Sequence, residues 1–188
     1  MDVYLIRHTQ PDIPAGLCYG RLDVSLRAHF ADEAAKLLPQ LPPGPPIVSD
    51  ESGRCTRLGA YLGKTLAGTT RVDTRLAELD FGAWEGRLWA DIPRIHTTVW
   101  AKDVWNQAPP DGETYAALQT RVAAAWESIL QIAASELVIV ASIGPLRALI
   151  ANALELPPEA FLRFHVDYAG LAKLSDASGG WRLEFANR

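Results

Sequence analysis

Arg7-His8 is the first pair in the chain whose residue types could do chemistry, and it follows directly on the apolar run Val3 to Ile6. A histidine imidazole can attack phosphorus if the attacking nitrogen is unprotonated and the ring is held in one tautomer. The neighbouring arginine offers a planar fork of donors that matches phosphate oxygens. Taken alone, Arg-His at the end of an apolar run is more simply a histidine that closes a strand. The other histidines point less to chemistry. His29 has charged neighbours and reads as exposed, and His96 reads as a surface residue. His165, in Phe164-His165-Val166, reads as half-buried with its hydrogen bonds satisfied. Cys18 and Cys55 are too few for a disulfide framework and lack metal-ligand spacing, so both are expected to be reduced and packed.

The elements that must position Arg7-His8 can be read from pattern. Val3–Ile6 is short, unbroken and rich in β-formers, as a strand buried on both faces should be. Pro11 and Pro14 make residues 9–25 a loop. A helix is expected from Leu26 to Leu38, stopped by the proline-rich stretch Pro39 to Pro46. Ile47-Val48-Ser49 reads as a strand, and Ser49 or Asp50 could cap a helix from Ser52 to Leu66. Val72 falls in a short third strand. Residues 79–110 hold Trp84, Trp89, Trp100 and Trp105 and read as an excursion of short helices, running to about residue 112. The four rings could roof a pocket, with at least part of their surface serving the core. Leu118, Val122, Ala125, Ile129 and Ile132 give one apolar face to a helix from Glu113 to Ala134. Leu137–Val140 is the most apolar strand, and Gly144-Pro145 opens a helix to Leu154. Phe164–Asp167, Leu171–Leu174 and Trp181–Phe185 are further strand candidates.

Strands alternating with helices predict an α/β three-layer sandwich, a mostly parallel central sheet flanked by helices, as one domain over residues 1–188. Ligands of such folds collect at the carboxyl ends of strands. Two apolar strands end at Arg7-His8 and at Ala141-Ser142-Ile143-Gly144, so chemistry is expected there.

Composition bounds the partners. Apolar residues make up 48% of the 188 and charged residues 21%, the balance of a globular protein. A net charge of −4 argues against a nucleic-acid partner, which demands a basic face. A site for small anions needs only a local group of arginines. No run approaches the ~18 apolar residues of a membrane span, so neither membrane nor secretion is expected and the cytoplasm is. Nothing in the sequence bears on oligomeric state.

Several segments recur in a recognisable order: Leu-Ile-Arg-His-Thr-Gln at the opening, Arg54-Cys55, the block Arg75-Leu76-Ala77-Glu78 through Gly82-Ala83-Trp84-Glu85-Gly86, then Gly112-Glu113-Thr114 and Arg121-Val122. Together they resemble the histidine phosphatase superfamily, the clan that includes phosphoglycerate mutase, from Val3 to about Leu174. Within it, Arg7 through Asp12, Gly16 through Val24 and the Trp105 to Glu113 stretch look most like alpha-ribazole phosphatases. The tryptophan-asparagine pair that usually follows the opening motif in the mutases is missing. The resemblance implies a phosphomonoesterase with a small phosphorylated substrate and no metal or other cofactor. It implies His8 as nucleophile, Arg7 and Arg54 as phosphate ligands, and Glu78 as the acid that protonates the leaving alkoxide and then activates water.

The resemblance breaks at one place. The family carries a second histidine in a Ser-His-x-Gly-x-x-Arg arrangement, where this chain reads Ala141-Ser142-Ile143-Gly144-Pro145-Leu146-Arg147. Counting back from Arg147 puts Ser142 at the histidine position, whereas aligning on Ser142 leaves Ile143 near it. Serine can donate to a phosphoryl oxygen but brings no positive charge. The stretch before Arg54 also departs, with Asp50-Glu51-Ser52-Gly53 in place of Ser-Pro-Leu, and carboxylates beside a phosphate site oppose anion binding unless they face away. The alternatives are a slow phosphatase, a non-catalytic relative that binds a phosphorylated ligand or partner, and a sequence altered from a parent that carries the histidine.

Overall fold

The computed structural model describes the backbone of residues 1–188 and the side chains of all but residues 158 and 159. Its centre is a six-stranded sheet: β1 Asp2–Arg7, β2 Ile47–Ser49, β3 Thr70–Val72, β4 Glu136–Ala141, β5 Leu171–Ala177 and β6 Gly180–Phe185. Five helices accompany it: α1 Phe30–Ala35, α2 Gly53–Leu66, α3 Arg94–Lys102, α4 Tyr115–Ile129 and α5 Ile143–Ala153. The strand order is β3-β2-β4-β1-β5-β6. β1 to β4 run parallel, β5 is antiparallel to β1, and β6 is antiparallel to β5.

Side-chain alternation along the strands builds the layers. Val3 and Leu5 of β1, with Leu137 and Ile139 of β4, pack on one side against Leu118, Val122, Ile129 and Leu149 from α4 and α5. Tyr4, Ile6, Val138 and Val140 turn to the other side, against Phe30, Cys55, Leu58 and Leu62 from α1 and α2. Both faces of the central strands are covered, which is why they read as unbroken apolar runs. No described helix is long and apolar enough to cross a membrane.

Five expectations are corrected. The helix placed at 26–38 shrinks to Phe30–Ala35, followed by a 3₁₀ turn at Leu38–Gln40. At its front, Leu26 bridges to Pro11 while the Asp12 and Arg27 amides bond to Ser25 and Gln10, so the first loop claims that backbone; at its rear, Pro39 cannot continue a helix. Phe164–Asp167 is not a strand, because two of its carbonyls are taken by arginines: Phe164 O accepts from Arg147 Nε (2.7 Å) and Val166 O from an Arg7 terminal nitrogen (2.9 Å). His165 is accordingly exposed and paired with Asp167 at 2.8 Å, rather than half-buried. Helix α4 stops at Ile129, short of Ala134, as residues 130–135 turn the chain into β4. Helix α2 begins after Ser52; Asp50 is not its cap residue, but its Oδ1 accepts from the Ser52 amide at 2.6 Å.

Candidate active site

The parallel register of β1 and β4 pairs Arg7 with Ala141, so His8 and Ser142 leave neighbouring strand ends side by side. The His8 amide donates to Ala141 O at 3.2 Å, which continues the ladder by one residue and pins the two ends together. His8 is almost wholly buried, and its Nδ1 lies 2.8 Å from Thr9 O. A carbonyl can only accept, so Nδ1 carries the proton and Nε2 holds the lone pair. Burial first, then the positive charge of Arg54 and that of Arg7, hold the imidazolium pKa down to about 3, against the opposing pull of Thr9 O. The ring is therefore neutral at physiological pH and fixed in one tautomer.

His8 opens into a cleft of about 850 Å³, its mouth included. Its polar lining includes Arg7, His8, Glu78, Ser142 and Arg147. The rest is apolar, with Leu17, Phe81, Trp89, Trp100, Val104, Ile143 and Phe161 among its walls. Trp89 and Trp100 stack at 5.8 Å, and Phe81 meets both edge-on. Trp84 is buried beneath them, and Trp105 packs on Tyr115 and Phe161. Of the four tryptophans expected at the pocket, two line it and two support it.

Arg7 stands with its guanidinium 3.8 Å over the Tyr168 ring, and that ring also flanks the His8 imidazole at 5.5 Å. The Tyr168 hydroxyl in turn meets that of Tyr19 at 2.6 Å. Arg7 Nε is buried without a partner, a donor left over at the site.

Glu78 comes from the loop after the 3₁₀ turn Thr74–Leu76. Its carboxylate accepts from the amides of Leu79 (2.7 Å) and Gly144 (3.0 Å). A Cβ at position 144 would fall 2.0 Å from Glu78 Oε1, so only glycine allows this approach. The backbone of the Glu78 loop is held by Arg121, which donates to the carbonyls of Arg75, Ala77 and Glu78 while forming a two-pronged pair with Glu113. The motif segments around Glu113 and Arg121 thus set where Glu78 stands.

Arg54 is where the geometry departs furthest from expectation. It is buried at the start of α2, and its three nitrogens donate to Ser142 Oγ (3.2 Å), Leu22 O (2.9 Å) and Gly20 O (2.5 Å). It lines a neighbouring cavity with Arg21, Asp23, Asp50 and Glu51 rather than the cleft that holds His8, although its charge reaches the imidazole. The loop that accepts from Arg54 is itself fixed by Glu85, whose carboxylate takes the amides of Gly20, Arg21, Leu22 and Phe81. Asp50 and Glu51 do not line the His8 cleft; Asp50 is fully buried, and burial raises its pKa. Both cysteines are free and buried, and burial pushes Cys18 up to about 12, the range of an inert thiol.

The sequence reading brought together His8, Arg7, Glu78, Arg54 and Ser142, and the cleft holds all but Arg54. It missed Arg147, Tyr19, Tyr115 and Tyr168. Arg147 had a signal, since it follows Ile143 and Gly144 at helical spacing and so shares their face. Tyr168 had none, because an irregular segment carries it.

Comparison with known proteins agrees with this geometry. The family model described as "Histidine phosphatase superfamily (branch 1)" matches residues 3–188. The alpha-ribazole phosphatase of Shigella flexneri superposes with a TM-score of 0.88 at 25% identity, over 100% of this chain and 96% of that one. A mycobacterial glucosyl-3-phosphoglycerate phosphatase, solved with VO3, superposes with a TM-score of 0.86 at 27% identity, over 99% and 98%. A bifunctional protein of Mycobacterium tuberculosis is 29% identical over 131 residues, which is 67% of this chain but 35% of that protein. Similarity that runs from the first strand to the last residue leaves one assignment: the chain belongs to the histidine phosphatase superfamily, branch 1.

Proposed function

We propose that the protein hydrolyses a small phosphomonoester through a phosphohistidine formed on His8 Nε2. The observation that carries this reading is the His8 ring itself: neutral, with Nδ1–H committed to Thr9 O, and opening into a cleft beside Arg7 and Glu78. In the first step Nε2 bonds to phosphorus as the ester P–O bond breaks, and Glu78, in its protonated form, gives its proton to the departing oxygen. In the second, Glu78 takes a proton from water as that water attacks phosphorus and the N–P bond breaks. Arg7 lies where the phosphoryl charge must be met, and Arg54 adds its field from behind. The aromatic walls suit a leaving group with a flat apolar part, so a phosphoester such as alpha-ribazole phosphate is the first substrate to test.

A second reading, a binding protein without turnover, is favoured by Ser142 and by the three internal bonds of Arg54. The two are separated by turnover of a generic aryl phosphate and of alpha-ribazole phosphate. We expect measurable hydrolysis and an acid-labile phosphoenzyme, both lost in His8→Ala. We expect Ser142→His to raise kcat by about 10²–10³, the usual worth of one donor to the charge formed in the transition state. Folded protein with no turnover in all three forms would leave the binding role.

A further inference from the structure

Among the described residues, Arg147 is the arginine of the cleft with neither terminal nitrogen committed, whereas one of Arg7's donates to Val166 O. It sits one turn into α5, on the face shared with Ile143 and Gly144, and lines the cleft together with His8, Arg7, Glu78 and Ser142. Only Nε is engaged, donating to Phe164 O at 2.7 Å, which aims the fork and holds it. The two terminal nitrogens have no partner among the described residues, and the residue as a whole is only partly buried. Arg7 and Glu78 lie close enough for their charges to act on it. The contrast with Arg54, whose three nitrogens all donate inside the protein, is the point.

We propose that Arg147 reaches the transferring phosphoryl group and supplies the positive charge that the superfamily takes from a histidine at the position of Ser142. The inference rests on the phosphohistidine reading, and what sets this chain apart is the serine that stands beside Arg147 where the motif has histidine. The end of β4 carries serine, which brings no cationic donor to the site. Serine there is short, leaving room for a longer side chain of α5 to approach from one turn away. A half-buried guanidinium with a free edge is the group suited to an anion that gains charge in flight.

The test is a double-mutant cycle on Ser142 and Arg147, read with benzyl phosphate, which has no second anion, and with orthovanadate affinity. Arg147→Met should lower kcat by about 10²–10³ and weaken vanadate binding by at least about tenfold, while Arg147→Lys, which keeps the charge, should recover part of both. In the Ser142→His background the same Arg147→Met change should cost less than about tenfold, since the histidine takes over the role. Circular dichroism and the melting temperature establish that each variant is folded. Equal losses in both backgrounds, or no loss, would overturn the proposal. So would a loss confined to a carboxylate-bearing ester such as phosphoglycerate, which would make Arg147 a reader of the leaving group. Should the parent chain show no turnover at all, the phosphatase reading fails separately. Vanadate affinity still decides for Arg147: weaker binding in Arg147→Met supports it, and unchanged binding overturns it.

Discussion

At the scale of single residues, the site depends on protons and on atoms that are absent. His8 is useful because it is neutral, and it is neutral because it is buried beside two arginines. The linkage has a sign that can be measured. The unfolded chain binds a proton on His8 below about pH 6.5, while the folded chain resists it until about 3. The unfolded state therefore holds more protons across that window, and stability falls as pH falls from about 6.5 toward 3. Urea titrations between pH 7 and 4 should show this loss, and a His8→Phe variant should show a shallower one. The same depression keeps the proposed nucleophile unprotonated in mild acid, so the acid limb of kcat/KM should lie well below 6.5. Gly144 shows the other side of residue-scale logic, because the missing Cβ is what lets its amide hold Glu78.

At the scale of elements, the side chains proposed to be catalytic stand on strand ends and loops that other segments clamp. Arg121, on α4, gathers three carbonyls of the Glu78 loop and the Glu113 carboxylate, and its side chain is only 17% exposed. Removing it strands a partly buried carboxylate and three acceptors. Arg121→Leu should cost about 3 kcal/mol, the lower end of what breaking a buried pair costs, seen as a lower urea midpoint. In the variant that remains folded, kcat should drop as Glu78 loosens. The Arg54–loop–Glu85 clamp works the same way on residues 20–22, which explains why Trp84-Glu85-Gly86 belongs to the motif without touching the His8 chemistry. These clamps join segments far apart in sequence, so their partners could not be named from spacing.

At the scale of the whole molecule, the sheet order gathers the ends of β1 and β4, and the excursion between β3 and α4 supplies the aromatic wall. If Trp89 and Trp100 select a flat leaving group, Trp89→Ala should narrow the preference for benzyl phosphate over glycerol phosphate. The expected change in the ratio of kcat/KM values is about two- to tenfold, from the 0.5–1.5 kcal/mol that an aromatic pair contributes beyond its buried area. An unchanged ratio would assign the two rings to packing alone.

The sequence by itself determined the layered α/β fold, because apolar runs and helical periodicity are local records of burial on two faces or one. It also determined which residues could do the chemistry, since Arg7-His8, Glu78 and the gap at Ser142 are written in the chain and its resemblance to the superfamily. Tertiary structure alone decided which of two arginines keeps terminal nitrogens without a partner among the described residues. Arg54 and Arg147 are the same residue type at the starts of two helices, and only the positions of the Gly20, Leu22 and Phe164 carbonyls separate them. Those carbonyls lie on irregular segments, whose course follows from packing against the rest of the fold and leaves no period in the sequence.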